Sequence, residues 1–84
     1  MNLYDISVTL EPGLPIWPGN PPFELERVNK IEDGASSNVS KLSLGAHTGT
    51  HVDAPVHFIP GASGVDTLPL DVLTGQAKVV ALDL

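Results

Sequence analysis

Apolar and polar residues alternate along four stretches of the chain, and this alternation predicts strands. Residues 23–31 (FELERVNKI) alternate most cleanly, and residues 39–47 (VSKLSLGAH) follow the same pattern. Residues 3–10 (LYDISVTL) alternate in part and contain three β-branched residues, which favour a strand. Residues 77–84 (AKVVALDL) predict a last strand at the end of the sequence.

Proline and glycine mark the connections between these predicted strands. Residues 11–22 (EPGLPIWPGNPP) contain five of the eight prolines, which remove backbone donors and predict an irregular loop. Residues 32–38 (EDGASSN) predict a turn, and residues 59–67 (IPGASGVDT) predict a loop. Residues 68–75 (LPLDVLTG) predict a short helix, with a proline in its first turn and a glycine after its end. The pattern predicts a β-rich α/β fold.

The composition narrows the class of protein. With 84 residues the chain forms one domain, and its 42% hydrophobic content is typical of a globular protein. The absence of cysteine excludes a disulfide framework. The net charge is −6, and the four basic residues are scattered, so nucleic acid is not an expected partner.

Two features of the sequence bear on location and on length. No apolar run approaches the roughly 20 residues that span a bilayer, and the N-terminus lacks the pattern of a signal peptide. We therefore expect a cytoplasmic protein without membrane association. The sequence stops at Leu84 within the last predicted strand. This suggests that residues 1–84 form the N-terminal portion of a longer domain.

All three histidines lie within residues 47–57 (HTGTHVDAPVH). In an extended segment the odd positions share one face, so His47, His51 and Asp53 would lie together with His57. Imidazole and carboxylate are ligands that Zn²⁺ and Mn²⁺ accept, and three ligands leave a position open for water, as in catalytic zinc sites. The glycine in the segment would let the backbone approach closely. The alternatives are a polar network without metal and a structural zinc site, for which a fourth ligand is absent.

The segment HTGTHVDAPVHF resembles the signature H-x-G-T-H-x-D-x-P-x-H of the metal-dependent cyclase family, which includes bacterial kynurenine formamidase (arylformamidase) and isatin hydrolase. The stretches YDIS (4–7), WPGNPP (17–22) and GQAKVVALDL (75–84) are similar to family segments in the same order. The resemblance therefore covers the whole chain. It implies the N-terminal part of the swivelling β/β/α fold of that family.

The resemblance also implies roles for individual residues. It makes His47, His51 and Asp53 ligands of Zn²⁺, with Asp53 bridging where two ions bind and with Mn²⁺ as the alternative metal. It makes His57 the general acid/base and places Trp17 near the substrate. Packing in a core is the alternative role for Trp17, because large aromatic residues commonly fill cores.

Two departures from the family pattern limit what the resemblance implies. Asn20 stands where many members have Asp, which removes a carboxylate from the loop. Family members are also longer, and their second half supplies another His and a Glu to the metal site.

The implied function is hydrolysis of an amide C–N bond by metal-activated water. The substrate would be a small molecule, either an arylformamide such as N-formylkynurenine or a cyclic amide. The alternative is a non-catalytic metal-binding or interaction fragment. We expect a homo-oligomer or association with a missing C-terminal half, since exposed strand edges favour pairing.

Overall fold

The computed structural model describes residues 1–84 and divides into two compact units, Met1–His51 and Val52–Leu84. The first unit contains the antiparallel strands β1 (Glu24–Asn29) and β2 (Val39–Ser43). The helical elements are single turns of 3₁₀ helix, located at Ile31–Asp33, Pro55–His57, Val65–Thr67 and Leu70–Val72. The remaining residues form turns and irregular backbone.

The hairpin of β1 and β2 confirms the two cleanest predicted strands. Leu25 pairs with Leu42, and Glu26 pairs with Lys41 on the opposite face. Apolar and opposite-charge pairs across neighbouring strands both stabilise a sheet, so the alternation in sequence matches the observed register. β2 ends at Ser43, four residues before its predicted end, because the chain then enters a turn.

A polar clasp closes the connection between the two strands. The Arg27 guanidinium donates hydrogen bonds to both carboxylate oxygens of Glu32, and its Nη2 also donates to Asn38 Oδ1 at 3.0 Å. The same Asn38 oxygen accepts a hydrogen bond from the Ile31 backbone N–H at 2.9 Å. The charged hydrogen bond from Arg27 lowers the pKa of Glu32, and these contacts tie the connection to the strand that precedes it.

The prediction of a strand at residues 3–10 is wrong. Residues 3–10 are irregular, and the Asp5 carboxylate accepts hydrogen bonds from the backbone N–H and the hydroxyl of Ser7. These bonds lower the pKa of Asp5 and hold the backbone in a local turn that competes with a strand. The Val8 N–H bonds to the hydroxyl of Thr50 instead of to a ladder partner.

The predictions for the second unit are also corrected. Residues 77–84 form no strand, because no neighbouring strand supplies hydrogen bonds to them. In place of the helix predicted over residues 68–75, the structure has one 3₁₀ turn at Leu70–Val72. A single turn of three residues does not offset the cost of starting an α-helix. Of the predicted β-rich α/β class, the structure contains the sheet, with two strands, and no α-helix.

Burial is concentrated at two residues of the first unit. Phe23, directly before β1, is the one buried apolar residue, and Thr48 is the one buried polar residue. By contrast, Leu25 and Leu42 on the hairpin are each about half exposed, at 49% and 54%. The described core is therefore small, and polar contacts carry much of the local order. No helix in the structure has the length and apolar character that crossing a membrane requires.

The clasp predicts how Glu32 titrates. Its pKa lies below the ordinary value of 4.5 because Arg27 stabilises the charged carboxylate. The stabilisation is complete above the ordinary pKa and is lost as the pH falls through the lowered one. In Arg27→Gln, we expect the pKa of Glu32 to rise toward the ordinary value, measured by ¹³C NMR of the side-chain carboxyl carbon.

The matched control is Lys41→Gln, which removes one positive charge from β2 without touching the clasp. We expect it to leave the titration of Glu32 unchanged. Equal midpoints for Glu32 in the two variants would contradict the assignment of the pKa shift to Arg27.

Candidate metal site

The loop that follows β2 reverses the chain in a tight turn. The Thr48 backbone N–H donates to the Gly45 carbonyl at 3.2 Å, and Thr48 is 7% exposed. Gly49 follows with φ of +68°, in the left-handed region that favours glycine. The predicted extended conformation of residues 47–57 is therefore wrong: its first part is a turn, and Pro55–His57 is a 3₁₀ helix.

Residues 8–10 pack directly against this turn. The Val8 N–H donates to Thr50 Oγ1 at 2.9 Å. A Cβ on Gly49 would lie 2.7 Å from Leu10 Cδ2 and 3.3 Å from Val8 Cγ2. Glycine is thus required both by the backbone conformation and by the close approach of the N-terminal segment.

The turn brings together three of the predicted site residues. One ligand atom from each of His47, His51 and Asp53 lies within 4.8 Å of the other two. The rings of His47 and His51 meet edge to face, with centroids 5.2 Å apart and planes at 70°. His47 is half-buried, and the other two are exposed, so the group is open to solvent.

A hydrogen bond from His51 fixes its tautomer. Its Nδ1 lies 2.7 Å from the carbonyl oxygen of Gly49. A carbonyl oxygen can only accept, so Nδ1 carries the proton and Nε2 carries the lone pair that can coordinate a metal. A histidine ligand is commonly oriented by such a bond from its other ring nitrogen. The left-handed backbone at Gly49 therefore also orients a predicted metal ligand.

The donor set and its spacing fit a divalent metal. Two imidazole nitrogens and one carboxylate oxygen suit Zn²⁺ and Mn²⁺. Ligands about 2.1 Å from a tetrahedral zinc ion lie roughly 3.4 Å from one another. The separations within this group, at most 4.8 Å, therefore need only small side-chain movements to close around an ion. His47, His51 and Asp53 form a group that could hold a metal ion.

His57 lies outside this group. It is the last residue of the 3₁₀ helix Pro55–His57, and its ring packs on Phe58 with a centroid distance of 4.2 Å. His57 is therefore not one of the three grouped residues, and its role as general acid/base stays a prediction.

A cavity of about 620 Å³ in the first unit contains Trp17 in its wall. Trp17 is 76% exposed, so the alternative of a packed core residue is wrong. The wall also includes His47, Thr50 and the apolar residues Val8, Leu14 and Ile16.

Two participants in the site were not predicted from the sequence. The hydroxyl of Thr50 accepts a hydrogen bond from the backbone N–H of Val8. Glu11 follows the first predicted strand and contributes to the cavity wall. No sequence signal near either residue indicates these roles, because both depend on contacts between segments about 40 residues apart.

The double role of Gly49 predicts a selective defect in Gly49→Ala. We expect the free energy of unfolding to fall by about 1–2 kcal/mol, because alanine is strained in the left-handed region. We also expect zinc affinity to fall by roughly 10–100-fold, as for other losses of the bond that orients a histidine ligand. Zinc titration calorimetry measures the second effect.

Gly61→Ala is the matched control. Gly61 has φ of +76°, and a Cβ there would meet nothing within 4 Å. This variant should show the backbone strain and retain zinc affinity. The assignment of Gly49 to the metal site fails if both variants bind zinc equally well.

A model of the cyclase family, described as "Putative cyclase", matches residues 4–84. The match includes the loop with His47 and His51, the neighbouring Asp53 and the segment that packs against Gly49. The chain belongs to the cyclase family.

Proposed function

We propose that this protein is a metal-dependent hydrolase that cleaves an amide C–N bond. The substrate is an arylformamide such as N-formylkynurenine, or a cyclic amide. The observation that carries the proposal is the group of two imidazoles and one carboxylate, with ligand atoms within 4.8 Å, in a chain of the cyclase family. That family includes metal-dependent hydrolases.

His47, His51 and Asp53 would hold the ion, which we propose to be Zn²⁺, with Mn²⁺ as the alternative. Asp53 has two carboxylate oxygens and could bridge a second ion. A divalent ion bound there supplies Lewis acidity, which acidifies water and polarises a carbonyl group. The hydrogen bond from His51 Nδ1 to Gly49 directs Nε2 to this task.

The cavity beside His47 supports an aromatic substrate. Trp17, Leu14 and Ile16 give its wall a largely apolar character, and Trp17 can stack on a flat ring. Since His47 is itself part of this wall, an aryl group bound there would hold the attached amide near the proposed ligand. The cavity therefore favours a substrate with an aromatic group over a purely aliphatic amide.

His57 is the proposed general acid/base. An imidazole nitrogen can accept a proton from water and return it to the leaving nitrogen. Pro55 begins the short helix, and the imidazole ring of His57 contacts the ring of Phe58.

A second candidate is a metal-binding interaction module without catalysis. It is supported by the exposed Leu25 and Leu42 and by the two-stranded sheet, in which each strand has one unpaired edge. Such edges and apolar faces favour association. The partner would be a second copy of the chain or further residues of the same protein.

Two histidine variants separate the proposed roles. In His57→Ala, we expect bound zinc to be retained and turnover of an arylformamide to fall by roughly 10²–10⁴-fold, because only proton transfer is removed. In His51→Ala, we expect zinc itself to be lost. Elemental analysis gives the metal content, and absorbance of the released arylamine gives the rate.

Each alternative has its own outcome in this experiment. Loss of zinc from His57→Ala would contradict the division between ligands and acid/base. Zinc binding by the wild-type protein without hydrolysis of any arylformamide or cyclic amide would favour the interaction module.

A further inference from the structure

The wall of the cavity beside His47 has an uneven distribution of charge. Glu11 is the one acidic residue of the wall, and no lysine or arginine contributes to it. The other polar residues are His47, Thr9 and Thr50. The chain as a whole carries a net charge of −6, so the surrounding field also favours cations.

Trp17 adds a second cation-attracting group to the same wall. The face of an indole ring attracts ammonium groups through its quadrupole, and a carboxylate attracts them through its charge. The apolar residues Leu14 and Ile16 accompany the indole and can cover a hydrocarbon or aromatic body. The wall therefore combines an apolar surface with two groups that favour positive charge.

We propose that Glu11 is a specificity-determining residue that selects substrates whose aromatic body carries an ammonium group. The inference rests on the proposed function in one respect, namely that the cavity beside His47 holds the substrate. The aromatic body occupies the part of the cavity at Trp17, and the carboxylate of Glu11 pairs with the ammonium group. Neutral aromatic amides bind to the same cavity without this pairing.

Trp17 is the one tryptophan in the chain and lies in the cavity wall, so its fluorescence reports binding without any turnover. Three probes share a phenyl ring: benzyltrimethylammonium, benzyl alcohol and benzenesulfonate. The quaternary ammonium group cannot coordinate a metal, and titration of metal-free protein removes coordination by the oxygen atoms of the other two probes. Metal-free and zinc-loaded protein are both titrated.

We expect wild-type protein to bind benzyltrimethylammonium about two- to fivefold more tightly than benzyl alcohol, as for an exposed charge pair. Benzenesulfonate should bind most weakly. The preference for the cation should shrink as salt is added. In Glu11→Gln it should fall to the level that Trp17 alone supplies, and in Glu11→Asp part of it should return.

Glu24→Gln is the matched control, since it removes the same charge from β1 outside this cavity. It should leave the preference intact. The proposal is overturned if no probe changes the fluorescence, if the three probes bind equally, or if Glu11→Gln keeps the full preference.

The result is independent of catalysis. A preference that depends on Glu11, in a protein without amide hydrolysis, would leave the selection of aromatic cations by Glu11 standing and remove the proposed hydrolysis. Hydrolysis that shows no preference for cationic substrates, with equal probe binding, would remove the inference alone.

Discussion

The candidate site depends on one backbone constraint, the left-handed conformation of Gly49 beneath the side chains of Val8 and Leu10. This conformation turns the Gly49 carbonyl toward His51 Nδ1 and places the Thr50 hydroxyl within reach of the Val8 N–H. A residue with a Cβ would be strained by φ and would also press against Leu10. One turn thus couples the orientation of the proposed ligand His51 to the packing of the N-terminal segment.

The sequence predicted the hairpin well because its information is local. Alternation over residues 23–31 and 39–47 determines which side chains pair, and the Leu25–Leu42 and Glu26–Lys41 pairs follow from it. Residues 3–10 and 77–84 have similar patterns but form no strand, since a strand also needs a neighbour with free backbone groups. The pattern alone cannot specify that neighbour. The predicted sheet was therefore larger than the observed one.

The predicted site residues came together for a reason other than the predicted one. Alternation in an extended segment would put four odd positions on one face, including His57. The turn at Gly49 instead groups His47, His51 and Asp53 and leaves His57 to the next element. Because the three proposed ligands lie within seven residues, a local turn is enough to assemble them. Phe23 is the one buried apolar residue of the structure. An ion that binds to the folded loop would add its free energy of binding to the stability of this loop.

Glycine and proline within the histidine segment place the proposed metal ligands and the proposed general acid/base on two different elements. Gly49 permits a reversal of the chain, which converges the donors of His47 and His51. Pro55 begins a 3₁₀ turn six residues later. His57 is the last residue of that turn, and its ring contacts Phe58. A proton carrier that is also a tight metal ligand would have no lone pair to accept a proton, so placing His57 on a separate element serves the proposed hydrolysis.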